Sequence, residues 1–555
     1  MNSPAASSDL SGRQATWLGG AIGLLLAIPW SMLGYLGGQA GGLPIVPFGL
    51  FEAFTRLLPG AIVTFLLDLM VSTLQQLKVA STANAGKLVE TLMAYGLGLA
   101  LLALIGAAYA SYTYESGLRV RSAWGLCGLV SFISLVIGWI QGWGTAGPWA
   151  TAIWLILLAL GWGWAAHLSL VRSERTVSAA AAPGRRGFLV ALGTGSVLVG
   201  GLAFGLARLT QSSAAPPQQT LLPTGEPLGP TPTPPPSDSQ FAPVPGTRRE
   251  ITPIDQFYRV DINIVPPDPA AVSEAAKQQA QSLNGQSGIA TPSEPYFLLI
   301  SGLVQSPMVV GLDQVRAMPT HNEWATLECI SNSVGGDLIS TTLFTGARLA
   351  DLLGHAGVKP EAVDIRFTCA DGYTESLPLD SALDERTLVC YAMGGELLQP
   401  QHGFPFRLYT PDRFGMKNPK WLVLIEAINH NYGGYWEDRG WNEQAIVETT
   451  SVIDSVQQTG PGQAVAGGIA YAGARGIRQV ETSLDGGPWQ LAQLNRALSD
   501  LTWVLWRANL SAGAGSHALR VRATDGNGVV QSGQPLDTFP KGATGYDMSS
   551  FDLTA

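Results

Sequence analysis

Charge is what this chain has least of. Only 13% of its 555 residues are charged while 46% are hydrophobic, and the mean hydropathy of +0.19 is apolar for a soluble protein. The few charges are unevenly placed. Residues 1–210 carry 11 Lys/Arg against 6 Asp/Glu, and the remaining residues 21 against 35. That acidic second part argues against nucleic acid as a partner, since phosphates need a basic face. Histidine is also scarce, with six in all and only His167 before residue 321. A membrane haem of the b type needs facing axial ligands, usually histidines, so the first part has no bis-histidine site. No Cys-x-x-Cys-His occurs either. Four cysteines are too few for a disulfide scaffold. Cys127 lies in an apolar run and reads as packing. The other three are an odd number, which leaves at least one thiol for other chemistry, and Cys369 and Cys390 read as buried free thiols rather than a bridge. A charged relay is missing from the apolar part, with Asp68 the lone candidate. The default reading of that part is an anchor, and a docking site for another subunit is the runner-up.

Long apolar runs are abundant. A membrane span takes about 20 apolar residues, and stretches 17–37, 88–110, 123–142, 149–170 and 187–206 qualify. Stretch 48–77 is apolar but interrupted by Glu52, Arg56, Pro59 and Asp68. It reads as re-entrant or interfacial, with a sixth span as the alternative. Arg119 and Arg121 in one loop, and Arg172, Arg175, Arg185 and Arg186 in another, predict a cytoplasmic side for both. The last span then runs outward, and everything after about residue 210 is extracytoplasmic. The run Gly184-Arg185-Arg186-Gly187-Phe188-Leu189 is similar to a twin-arginine export signal; a basic loop that merely orients the helix explains it equally well. Residues 211–250 hold a proline-rich run, Pro230 to Pro236, and predict an extended tether.

From residue 251 the pattern changes to short strands and a few helices. Strands are expected at 296–304, 326–329, 364–369 and 388–393, and helices at 312–318 and 349–355. This order predicts a mixed α+β domain over 251–450. Cys329, just after a short apolar-alternating run, would on its own read as a buried small hydrophobe. Its thiolate is also a soft ligand suited to a redox metal.

Five motifs in order change that balance. They are Gly302-Leu303-Val304, Leu327-Glu328-Cys329-Ile330-Ser331-Asn332, Ala370-Asp371-Gly372-Tyr373, His402-Gly403-Phe404-Pro405-Phe406-Arg407 and Gly415-Met416-Lys417-Asn418-Pro419-Lys420-Trp421. Together they resemble the sulfite oxidase family of molybdenum enzymes. The resemblance implies a membrane-anchored oxidoreductase with molybdenum held by molybdopterin, and Cys329 as the metal ligand. It implies phosphate contacts from Arg407, Lys417 and Lys420, cofactor hydrogen bonds from Asn263, Asp371 and His402, and a close backbone approach at Gly415. The active-site tyrosine would be Tyr432 or Tyr435. His355 and His517 are left as structural.

Two departures bear on the substrate. Ile330-Ser331-Asn332-Ser333 stands where sulfite oxidases tend to carry a Gly-Asn-Arg type of run, and uncharged Ile262 stands near the family's anion-gripping arginine. They put sulfite itself in doubt and leave a sulfoxide or another small oxyanion open. With no haem or iron–sulfur motif, electrons must reach a separate cytochrome or quinone-linked subunit. The competing expectations are a non-catalytic, membrane-tethered binding module with a degenerate cofactor pocket, and a cysteine-nucleophile hydrolase, which needs a base in reach of Cys329. Residues 451–555 read as short strands and turns, an immunoglobulin-like β-sandwich. In the resembled family this module pairs subunits, so a homodimer is one expectation and a passive cap the other.

Overall fold

The computed structural model describes residues 12–77, 79, 81–116, 120–140, 147–175, 185–213, 241–287 and 294–555. The chain divides into two compact units. One comprises Met1–Leu58 with Leu88–Thr224, and the other Pro59–Lys87 with Gly225–Ala555.

The first unit is helical. It contains α1 (Gly12–Gly41) and α2 (Val46–Leu57). Helix α3 (Gly60–Gln76) falls in the second unit, and α4 (Thr82–Ser116) begins there. The helices α5 (Val120–Ile140), α6 (Gly147–Arg175) and α7 (Arg185–Ser213) complete the first unit. Among the described residues five helices are long and apolar enough to cross a membrane; four expected spans fall within one each, and 123–142 overlaps the third, with 141–142 outside the described residues. Glycines let α1 and α4 touch backbone to backbone. A Cβ added at Gly23 would come 2.5 Å from the Leu102 carbonyl, and one at Gly106 2.5 Å from that of Gly19. Such small-residue seams are how apolar helices gain packing when no water drives them together. Stretch 48–77 is not one helix. It breaks at Leu58, whose ψ of 142° is extended, as the residue before a proline prefers.

The second unit carries the sheets. β1 (Phe297–Gly302), β2 (Met308–Gly311), β3 (His321–Glu328), β4 (Ile339–Arg348), β5 (Asp364–Cys369), β6 (Thr374–Pro378), β7 (Leu388–Met393), β8 (Glu396–Leu397), β9 (Arg407–Tyr409) and β10 (Leu422–Ile428) form two of them. One has the order β2-β1-β10-β5-β6, and the other β3-β4-β7-β8 with β9 beside β7. The helix α8 (Pro269–Ser287) covers the first sheet. Its Val272, Ala276 and Ala280, four apart, bury against Phe297, Leu299, Trp421 and Val423. β11 (Thr450–Gly460), β12 (Gln463–Tyr471), β13 (Ile477–Leu484), β14 (Gln490–Leu491), β15 (Gln493–Leu494), β16 (Val504–Ser511), β17 (Gly515–Asp525) and β18 (Met548–Leu553) make two four-stranded antiparallel sheets. Those sheets share one apolar core that includes Ala466, Trp506, Leu519 and Val521. Of the expected tether, 214–240 lies outside the described residues, while 241–250 is folded onto the C-terminal sheets. There Arg248 pairs with Asp454 at 2.9 Å and Ser455 donates to the Pro245 carbonyl at 2.7 Å.

Candidate functional site

Cys329 follows directly on β3, where the chain leaves the sheet. Its N–H still continues the ladder, donating to the Leu338 carbonyl at 2.9 Å, and its own carbonyl accepts from Asn332 N–H at 3.0 Å. Asn332 locks this exit. Its oxygen accepts from Leu338 N–H at 2.9 Å and its amide donates to the Glu328 carboxylate at 2.9 Å. The thiol so placed lies 3.0 Å from the Ser331 hydroxyl. Burial pushes its pKa up, with the Ser331 bond working the other way. A bound cation would reverse that outcome and hold the thiolate.

The thiol lines a cavity of about 90 Å³ that is also lined by Asp371, His402, Arg407, Gly415 and Lys420. Three of the other motif stretches therefore meet on Cys329. Asp371 sits in a turn, accepting from Tyr373 N–H at 3.0 Å; burial raises its pKa to about 7. His402 donates from Nε2 to the Ile254 carbonyl, 3.2 Å away. Burial first, then the charges of Arg407 and Lys420, push it down to about 4, so the ring is neutral at pH 7. Lys420 is held by the Asp261 carboxylate and donates to the Val260 carbonyl at 3.3 Å. Burial alone would raise Asp261, but Lys420, Arg259 and Lys87 outweigh it and keep the carboxylate ionised.

Arg407 differs from these. It is buried, and its Nη1 reaches only the His402 carbonyl at 3.3 Å and the Met393 sulfur at 3.7 Å. Its Nε has no partner, and among the described residues it forms no ion pair. A buried guanidinium without a counter-charge is costly. It marks the place where an anionic group belongs, and so a phosphate-bearing cofactor fits here.

The other expected residues lie elsewhere. Lys417 does not line the cavity. Its ammonium is taken by Glu375 at 2.8 Å and by Glu437, which leaves it no charge to spend on a phosphate. Asn263 is not a lining residue either; its amide donates to the Asp371 carbonyl at 3.1 Å, supporting the turn from behind. Tyr432 donates to Thr374 at 3.2 Å under the Arg366 guanidinium, and Tyr435 is covered by Arg439, 3.6 Å from its ring centre. Neither lines the cavity. Two other tyrosines do, Tyr258 and Tyr373. Tyr373 donates to the Met416 carbonyl at 2.8 Å. The Tyr258 hydroxyl occupies the space above Gly415 where any Cβ would collide with it. Tyr373 stands inside a motif already singled out, Ala370-Asp371-Gly372-Tyr373, so a signal was present there, while Tyr258 lies five residues before Asn263. Trp436 and Trp441 also line the wall. Cys369 and Cys390 are buried free thiols.

Residues 287–436 match the family model described as the oxidoreductase molybdopterin binding domain. A relative, the uncharacterized oxidoreductase YuiH of Bacillus subtilis, is 35% identical over 159 residues, which is 27% of this chain and 78% of that protein. This chain belongs to the sulfite oxidase family of molybdopterin-dependent oxidoreductases. Sulfite oxidase of Arabidopsis thaliana is 26% identical over 289 residues, covering 43% of this chain and 68% of its own. A putative protein-methionine-sulfoxide reductase subunit, YedZ1 of Azospira oryzae, is 32% identical over 147 residues, 26% of this chain and 54% of its own. This sulfite oxidase relative is therefore an oxidoreductase whose cofactor is molybdopterin carrying molybdenum. The degenerate-pocket and hydrolase expectations give way to it.

Proposed function

We propose that the protein is a membrane-anchored molybdenum enzyme that moves an oxygen atom to or from a small sulfur-centred or other oxyanion substrate outside the cytoplasm. The observation that carries this reading is the pairing, in one cavity, of the Cys329 thiol with a buried Arg407 that lacks a counter-anion. Cys329 is assigned as the metal ligand. Arg407 takes the cofactor's phosphate, with Lys420 behind it, and neutral His402 and the Asp371 turn hold the pterin by hydrogen bonds. The bound cofactor supplies two-electron oxygen-atom chemistry; the chain supplies binding, orientation and exclusion of water. Gly415 serves by making room for Tyr258, which with Tyr373 brings phenol groups to the cavity in the role expected of Tyr432 or Tyr435.

Uncharged Ile262 lines the cavity together with Ile330, Trp436 and Trp441. That apolar wall, and the printed name of the Azospira relative, favour a sulfoxide over sulfite. Electrons pass to or from a separate cytochrome or quinone-linked subunit. The C-terminal pair of sheets is assigned as an immunoglobulin-like module that pairs subunits into a homodimer. Elemental analysis of the purified protein tests the core of this reading. Near-stoichiometric molybdenum that disappears in Cys329→Ser is expected, and a metal-free folded wild type would sink it. The metal-loaded protein should then turn over methionine sulfoxide with a reductant faster than it oxidises sulfite.

A further inference from the structure

Helix α3 comes from the apolar N-terminal third of the sequence yet packs as part of the second unit. One stripe of it, Thr64, Leu67, Val71 and Leu74, faces inward at helical spacing. Leu67 lines the cavity, Val71 joins Cys329 and Leu338 in one apolar cluster, and Thr64 donates to the Arg439 carbonyl at 3.3 Å. The helix is thus a wall of the cofactor cavity. The opposite stripe is equally apolar but exposed: Ile62 45%, Phe65 64%, Leu66 43% and Leu69 52%. A helix apolar on both faces is buried on both, so this outer stripe needs an occupant.

We infer that the outer face of α3 lies in the lipid headgroup boundary, so that one helix closes the molybdenum cavity on one side and rests on the membrane with the other. Chain continuity selects the occupant. Only five residues separate Gln76 from Thr82, where the apolar helix Thr82–Tyr114 begins. At no more than about 3.6 Å per residue, α3 ends within roughly 20 Å of that span's first residue. The span's first turns are pinned to the same unit: Thr82 N–H donates to Asp337 at 2.8 Å, and Lys87 to the carbonyls of Asp261 at 2.8 Å and Asn263 at 3.0 Å. Ile62, Phe65, Leu66 and Leu69 are all apolar, with Asp68 the one charged residue of the helix, and an interfacial helix binds by such an apolar face. The inference rests on the membrane reading of α4.

Spin labels test it without any assay of activity. The four natural cysteines are buried, so the unsubstituted protein serves as the labelling blank. Phe65→Cys and Leu69→Cys are labelled in the full chain in nanodiscs of phosphatidylcholine and phosphatidylglycerol. Their collision rates with oxygen and with a water-soluble nickel chelate are then compared. Leu104→Cys on α4, 69% exposed, is the lipid reference, and Leu491→Cys, 72% exposed near the C-terminus, the aqueous one. The expected result is an oxygen-to-nickel ratio at 65 and 69 several-fold above that at 491. A ratio equal to that at 491, with 104 lipid-exposed, overturns the inference alone. An aqueous reading at 104 overturns the membrane reading and the inference with it. Dipolar broadening at 69 that vanishes on dilution with unlabelled protein puts a second copy on the face and also overturns it.

Discussion

His402 shows how the cavity shapes a single group. It is held neutral by burial and by two cations, with its pKa pushed down to about 4 from an ordinary 6.5. A folded value below the unfolded one contributes stability that is whole above about pH 6.5 and lost as pH falls toward 4. A gap of that size corresponds to about 3 kcal/mol. Thermal unfolding of the detergent-solubilised protein at pH 7 and pH 4.5 should show the wild type losing that advantage relative to His402→Gln. Parallel pH curves for the two proteins would refute it. The neighbouring cations diverge for a reason that sequence order hides. Lys417 and Lys420 are three residues apart in one motif, yet Lys417 falls beside Glu375 and Glu437 while Lys420 reaches the cavity. The same motif match thus covers a cavity residue and a buried ion cluster. Only the positions of Glu375 and Glu437, at 42 and 20 residues' separation, tell them apart.

Among the elements, the strands expected at 364–369 and 388–393 have the bounds of β5 and β7, because β7 is buried on both faces and β5 buries Ile365, Phe367 and Cys369 on one. β3 extends five residues further toward the N-terminus than the expected 326–329, since its pairing with β4 runs from His321–Gly346 to Glu328–Ile339. Helix α8 was not legible. Its buried face is mostly alanine, too small to register as an apolar stripe, and it is selected by close approach to the sheet. Its visible signal is local: the Asp268 carboxylate accepts from Ala271 N–H at 2.8 Å, and Pro269 is the first helical residue. Asp268→Ala should cost about 1 kcal/mol, read as a lowered midpoint in the same thermal unfolding. An unchanged midpoint would mean the packing of Val272, Ala276 and Ala280 alone holds the helix.

For the whole molecule, orientation is the open quantity, and the arginine loops carry it. A protease added to the outer face of spheroplasts is expected to cut in the part of the 211–250 linker that precedes the folded segment beginning at 241. Protection of that linker would put the catalytic part on the cytoplasmic side and refute the proposed address. The amino-acid sequence by itself determined the five apolar helices, the proline-rich break and the family, because hydrophobic run length, composition and ordered motifs are local properties. The tertiary structure decided which motif residues share the cavity, since His402, Arg407 and Lys420 meet Cys329 only when β9 and the β3 exit are brought together. It also decided the fate of 48–77. Pro59 ends one helix, and the next spends its inner stripe on Leu338, Cys329 and the cavity. No periodicity in that stretch announces a partner more than 250 residues away.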